Sequence, residues 1–183
     1  AASDVYKRQI VGFVNDKDNK KTIINTMMDR IVHRGPNSSG EYIDKHVALG
    51  FRRLSIIDLE GGTQPIYNED RTKIIIFNGE IYNYQPLREE LIAAGHVFQT
   101  HADTEVLLHG YEEWGTELLQ KIRGMFAFAI WDNEKNELFG ARDHFGIKPY
   151  YYAEMNGTFM FGSEIKSFLP HPDFNKELNK EAL

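Results

Sequence analysis

The run from Lys73 to Phe77, KIIIF, constrains the fold of this chain more than any other segment. Consecutive β-branched residues followed by a phenylalanine lose side-chain freedom in a helix and suit a pleated, packed surface, so a buried central strand is expected there. Asn78-Gly79 follows directly. Both residue types tolerate positive φ, and the pair is read as the end of that strand.

Further short apolar runs bounded by turn residues predict strands at Ile10 to Val14, Gly40 to Ile43, Val47 to Leu54, Met125 to Trp131, Glu137 to Arg142, Tyr150 to Glu154 and Thr158 to Phe161, with a turn at Asn156-Gly157. Helical spacing appears between them. Ile23, Ile24, Met27, Met28 and Ile31 share one face until Arg34-Gly35-Pro36 stops the pattern. Pro86 fits a first helical turn, Leu87, Leu91 and Ile92 make a stripe, and Gly95 caps it. Asp103 is placed as the N-cap of a helix lined by Val106, Leu107, Gly110, Tyr111 and Trp114 and ended by Gly115. A last short helix is expected from Ser163 to Leu169. Asn15 to Lys21 and Glu60 to Gly62 are read as loops, and Tyr150, Tyr151 and Tyr152 as core or else as a face toward a partner outside this chain, with core preferred because strand aromatics pack inward on one face. Strand runs segregated from helix runs indicate an α+β fold.

At 183 residues the chain is one domain's worth, and 42% hydrophobic with 26% charged residues excludes a disordered tail. The longest apolar runs, Ile74 to Phe77 and Met125 to Trp131, fall far short of the roughly 20 residues a bilayer needs, so no membrane partner is expected. A net charge of −6 without a basic stripe argues against nucleic acid. Cysteine is absent, which excludes disulfides, thiolate zinc and a thiol nucleophile. The seven histidines show no H-E-x-x-H spacing, and no metal is expected. No phosphate loop, dinucleotide fingerprint or G-x-S-x-G elbow occurs. Ala1 to Gln9 lacks the apolar centre of a secretion signal, so a cytoplasmic setting is the expectation.

Three segments carry candidate chemistry. Arg53 is either a surface residue with a snorkelling stem or a bidentate fork for a carboxylate. Asn78 and Gly79 form either a tight turn or a pair of donors aimed at one developing negative charge. Asp103 caps a helix, and the same carboxylate can also face a cleft and bind an ammonium. Together they would suit a free amino acid whose side chain ends in a carbonyl.

The strings IVGF (Ile10 to Phe13), HRGP (His33 to Pro36), RLSIIDL (Arg53 to Leu59), QPIYN (Gln64 to Asn68), FNGEIYNY (Phe77 to Tyr84), GMFAFAIWD (Gly124 to Asp132), ARDHFGIKP (Ala141 to Pro149) and SEIK (Ser163 to Lys166) occur in this order. Taken together they resemble the N-terminal glutaminase domain of glutamine-hydrolysing asparagine synthetases, class II glutamine amidotransferases among the N-terminal-nucleophile hydrolases. The resemblance implies a four-layer αββα sandwich of two antiparallel sheets. It implies that Arg53, with the backbone around Leu54 and Ile56, binds the glutamine α-carboxylate. Asp103 and Glu80 would hold the α-amino end, and Asn78 and the Gly79 N–H would form the oxyanion hole. It further implies thioester chemistry at an N-terminal cysteine, no cofactor in this domain, and ATP with Mg only in a missing C-terminal synthetase domain that amidates aspartate. L-glutamine and that domain are the expected partners, and a homodimer stays open.

The chain departs from the family at its start. Anchored on Ile10-Val11-Gly12, the family's cysteine position falls on Arg8 and its glycine on Gln9. The nucleophile is absent, and the free α-amine that would act as base is a peptide nitrogen there. Residues 1–9 are therefore read as a non-native segment, 10–170 as the amidotransferase domain and 171–183 as the start of a linker. The chain is expected to bind glutamine without turning it over. The alternative is a natural pseudoenzyme, a binding or regulatory module that kept the fold and dropped the chemistry.

Overall fold

The computed structural model describes residues 6–55 and 63–177. Among them, nine strands form two antiparallel sheets. Strands β1 (Tyr6–Val14), β2 (Ser38–Ile43), β3 (Val47–Ser55), β8 (Tyr151–Met155) and β9 (Thr158–Gly162) build one sheet in the order β2-β3-β1-β9-β8. Strands β4 (Ile66–Tyr67), β5 (Lys73–Ile81), β6 (Gly124–Asp132) and β7 (Glu137–Arg142) build the other in the order β4-β5-β6-β7. Helices α1 (Lys20–Asp29), α2 (Tyr84–Ala93), α3 (Asp103–Trp114) and the short α4 (Leu118–Lys121) complete the regular structure, with three-residue 3₁₀ turns.

The layers follow from the two-residue period of a strand. Ile74 and Ile76 of β5 pack with Ile10, Val47, Leu49, Phe51, Ala127, Ala129, Trp131 and Phe161, which is the core between the sheets. Ile75 and Phe77 point the other way, onto Leu87 and Leu91 of α2 and Val106 and Leu107 of α3. Val11 and Phe13 of β1 meet Ile24, Met27 and Met28 of α1 on the outer face of the first sheet. A strand buried on both faces needs apolar residues at consecutive positions, which is why KIIIF does not alternate. The result is the expected αββα layering. Each fully buried large apolar side chain contributes about 1.5–3 kcal/mol relative to exposure. Trp131 lies in that middle layer and still satisfies its indole, with Nε1 donating to Asp44 Oδ2 at 2.7 Å.

Several local expectations are corrected. Asn78-Gly79 does not end its strand: β5 continues to Ile81 and stays paired with β6 throughout, with Gly79 opposite Phe126. A Cβ at Gly79 would stand on the Met125 carbonyl oxygen, so glycine serves close strand approach there. Asp103 is the first residue of α3 and Ala102 is the N-cap; the Asp103 carboxylate accepts the backbone N–H of Ile81 instead, at 3.0 Å. β1 begins at Tyr6, so residues 6–9 are strand despite their mixed composition. Ile92 is 48% exposed and lies outside the α2 stripe. The last helix is only a 3₁₀ turn at Ile165–Ser167. Tyr150 stacks on Phe161 at 5.4 Å, but on the edge strand β8 Tyr151 and Tyr152 are 43% and 70% exposed. Asn156 and Gly157 do make the β8–β9 turn, both at positive φ. The expected loop at Glu60 to Gly62 lies outside the described residues.

Candidate functional site

Arg8 and Arg53 face each other across the β1–β3 ladder. Ile10 on β1 and Phe51 on β3 belong to the layer between the sheets, so two residues further along each strand Arg8 and Arg53 fall on that same face. Arg53 is 3% exposed. On the facing sheet Asn78 shares the parity of Ile74 and Ile76 and is likewise buried. The amide and the arginine therefore enter one layer from opposite sheets. Leu54 is half-buried and lies on the other face of β3 by the same alternation. Ile56 lies outside the described residues.

The backbone at Gly79 has a specific orientation. Phe126, its ladder partner, exchanges its own backbone bonds with Asp143: Phe126 N–H donates to Asp143 Oδ2 and Phe126 C=O accepts Asp143 N–H. In an antiparallel ladder this makes Gly79 and Phe126 a non-hydrogen-bonded pair, so Gly79 turns both its N–H and its C=O away from β6. Phe77, two residues earlier, does the same and is clamped by the buried Gln64 side chain, which accepts from Phe77 N–H at 2.6 Å and donates to Phe77 C=O at 3.2 Å. Ile81, two residues later, gives its N–H to Asp103. The outward carbonyl of Gly79 accepts a hydrogen bond from Arg8 Nη1 at 3.1 Å. The same guanidinium lies 5.7 Å from the centre of the Phe77 ring.

Asp103 completes the group from a different layer. Burial pushes its carboxyl above the ordinary range, while the Ile81 N–H, the charge of Arg8 and the Thr104 N–H pull it back and nearby Glu80 pushes it up again. Glu80 itself is exposed. Arg8, Gly79, Glu80 and Asp103 are thus neighbours, with Arg53 beside Arg8 on the ladder and Asn78 preceding Gly79. Arg53 and Asn78 thus enter the layer between the sheets, while Asp103, on α3, bonds the backbone of β5 two residues beyond Gly79.

Two supports went unnoticed in the sequence. Asp143 is 5% exposed; burial would raise its carboxyl, but the N–H groups of Lys148, Ile147, Phe126 and Phe145 outweigh that and hold it below the ordinary carboxylate range. It thereby braces the β6 residue opposite Gly79. On α3, Glu105 and His109 are both buried, and hydrogen bonds to Glu105 and Glu112 overcome burial to keep the imidazole basic. The i,i+4 spacing of Glu105 and His109 was the available signal for this pair.

A family model described as a glutamine amidotransferase domain matches residues 8–183. Asparagine synthetase [glutamine-hydrolyzing] 1 of Bacillus subtilis is 54% identical over 164 residues, which is 90% of this chain and 26% of that protein. Asparagine synthetase B [glutamine-hydrolyzing] of Escherichia coli is 45% identical over 139 residues, 75% of this chain and 25% of that protein. The chain thus spans about a quarter of the length of these relatives. Among solved structures, the glutamine phosphoribosylpyrophosphate amidotransferase of Bacillus subtilis superposes with a TM-score of 0.67 at 21% identity, covering 87% of this chain and 42% of that one. An allosteric regulatory enzyme of purine biosynthesis superposes with a TM-score of 0.69, also at 21% identity, covering 88% and 43%. At that identity the likeness is one of fold.

Proposed function

This chain belongs to the glutamine amidotransferase domain family, and from that premise we propose that it is the glutamine-binding half of an asparagine synthetase, holding its substrate at the Arg53–Asn78–Gly79–Asp103 site without hydrolysing it. Supporting the reading are the buried Arg53 and Asn78, which enter the layer between the sheets from β3 and β5, and Asp103 of α3, which bonds the β5 backbone two residues beyond Gly79. Glutamine is a zwitterion with a terminal amide. Arg53 grips the α-carboxylate with a planar fork. Asp103, with Glu80, holds the α-ammonium. Asn78 and the Gly79 N–H address the amide oxygen, where negative charge would develop during acyl transfer.

Turnover requires a nucleophile and a base beside that amide. Arg8 occupies the family's cysteine position, and the chain has no cysteine. A guanidinium stays protonated at every relevant pH and serves as neither. In the family reaction a thiol attacks the amide carbon, ammonia leaves, and water releases glutamate from the thioester. Ammonia so released would serve an ATP-using synthetase domain that amidates aspartate. In this reading residues 10–170 form the amidotransferase domain and 171–183 begin a linker.

The second reading, a natural pseudoenzyme, draws support from how fully Arg8 is built into the site. Its guanidinium engages the Gly79 carbonyl, and residues 6–9 pair in register with β3. Calorimetry with L-glutamine and an ammonia-release assay test the shared claim: binding with no ammonia is expected, and ammonia release by this chain sinks it. A chain beginning at position 8, with cysteine there and glycine at position 9, is expected to hydrolyse glutamine. The DNA upstream of the Ile10 codon separates the readings. Cysteine and glycine codons after an in-frame start favour a foreign segment; an expressed, continuous reading of residues 1–9 favours the pseudoenzyme.

A further inference from the structure

The packing of α2 against α3 brings together two histidines that lie 13 positions apart in the sequence, His96 and His109, with rings 5.1 Å apart. His96 is fixed by the end of α2. Gly95, at φ 106°, donates its N–H to Ile92 C=O, and His96 donates its N–H to Leu91 C=O. That is the double bond pattern of a Schellman ending, so the imidazole is carried by a defined turn. His109 and Glu112 are one turn apart on α3 and share a face.

The two imidazoles are oriented alike. Each turns Nδ1 toward the same oxygen, Glu112 Oε2: His109 at 2.8 Å and His96 at 3.8 Å. Each turns Nε2 toward a different carboxylate. His96 Nε2 lies 3.2 Å from Glu113 Oε2, and His109 Nε2 lies 3.6 Å from the buried Glu105 Oε1. Glu105 is itself anchored by the N–H groups of Gln99 and Thr100. The other oxygen of Glu112 accepts from Asn68 Nδ2 at 2.6 Å, which fixes the carboxylate plane.

We propose that His96 Nδ1, His109 Nδ1 and Glu112 Oε2 form a divalent-cation site of the zinc class. Without an ion the His109 Nδ1–H donates to Glu112 Oε2, so a bound ion would displace that proton, while Glu113 and Glu105 on the Nε2 side of each ring stand where an acid behind a ligating histidine orients the imidazole. With metal–ligand bonds of about 2.0–2.1 Å, adjacent ligands of a tetrahedral ion stand roughly 3.3 Å apart, between the two nitrogen–oxygen distances found here. A fourth position is left for water or an added ligand, and Glu69 Oε2 stands 4.0 Å from His109 Nδ1. Two imidazoles and carboxylate oxygens form a donor set of borderline hardness that suits zinc and disfavours magnesium and calcium. A bound ion would tie the end of α2 to α3, the helix whose first residue is Asp103.

The test uses the whole chain stripped of metal, zinc, and a chromophoric chelator in competition. One zinc per chain is expected, with a rise in melting temperature. Binding is expected to weaken at least about tenfold in both His96→Gln and Glu112→Gln, and the melting shift to disappear. His96 lies at the rim of the cluster, so His96→Gln should retain the fold. Cobalt added to the unaltered chain should give the visible absorption of a four- or five-coordinate nitrogen-and-oxygen site, independent of any variant. Failure to bind stoichiometric zinc, equal affinity in His96→Gln, or purely octahedral cobalt spectra would each overturn the proposal and leave the cluster as an ion-pair network.

Discussion

Arg8 Nη1 donates to the carbonyl oxygen of Gly79 at 3.1 Å, bridging the two sheets beside the proposed site. The guanidinium also carries charge toward Asp103. It therefore competes with the ammonium of an incoming amino acid for the same anion. Arg8→Ala is expected to tighten glutamine binding by about tenfold, or 1.4 kcal/mol, when calorimetry compares the two chains. Weaker binding in the variant would mean that Arg8 assists the ligand.

Arg53 has the opposite expected effect. It is buried, and truncating one partner of a desolvated charge pair costs about 2–5 kcal/mol. Arg53→Ala should lose that much glutamine affinity, and Arg53→Lys should recover only part of it, because an ammonium cannot form the planar two-point contact. Melting curves for both variants separate the roles. Lower stability with unchanged affinity would remove Arg53 from the site.

The main architecture could be read from local pattern because burial leaves consecutive apolar residues in a strand covered on both faces and a three-to-four-residue spacing on a helix face. KIIIF and the Ile24–Met27–Met28 face are examples, each with its partners in a single apolar layer. What escaped depends on contacts between distant segments. Residues 6–9 look polar for a strand, yet β1 runs through them because β3 supplies their ladder and Gly79 accepts from Arg8. Asn78-Gly79 carries a turn signature, and only the facing Met125 carbonyl reveals why glycine is needed inside a strand. The His96–His109 pair has no sequence spacing to betray it, since two packed helices create it. Arg53, Asn78 and Asp103 were legible as residue types suited to an amino acid; that Arg53 and Asn78 enter one layer from opposite sheets required the sandwich.

Gly79→Ala tests the close approach directly. The added Cβ would stand on the Met125 carbonyl oxygen and 2.8 Å from Phe126 Cα, both backbone atoms that cannot swing aside. Overpacking of this kind costs about 1–3 kcal/mol, and a domain of this size loses roughly 2–4 °C of melting temperature per kcal/mol. Gly95→Ala is the control: its φ is also positive, but nothing lies within 4 Å of the added carbon. Gly79→Ala should lower the melting temperature more than Gly95→Ala and also weaken glutamine binding. Equal melting shifts would show that the β5–β6 pair relaxes around the methyl group.

Asp103 couples binding to stability with opposite signs. Burial raises its carboxyl above the ordinary value of 3.8, so the folded state holds the proton more tightly than the unfolded chain does. Stability linked to this group therefore falls as pH rises from the unfolded value through the raised folded one. Above that window the ionised carboxylate is a net cost to the empty protein. It is also the form that an ammonium needs. Asp103→Asn keeps an oxygen to accept the Ile81 N–H and removes the charge. The variant should melt higher than the parent at neutral pH and bind glutamine at least about tenfold more weakly. In the parent, glutamine affinity should decline on acidification at a higher pH than an ordinary carboxylate would give, and in Asp103→Asn that decline should vanish. Thermal melts and calorimetry between pH 4 and about pH 8, spanning the ordinary carboxylate range and neutrality, check all three. A variant that melts lower at neutral pH while retaining full affinity would assign Asp103 to holding α3 against β5 and take it out of ligand recognition.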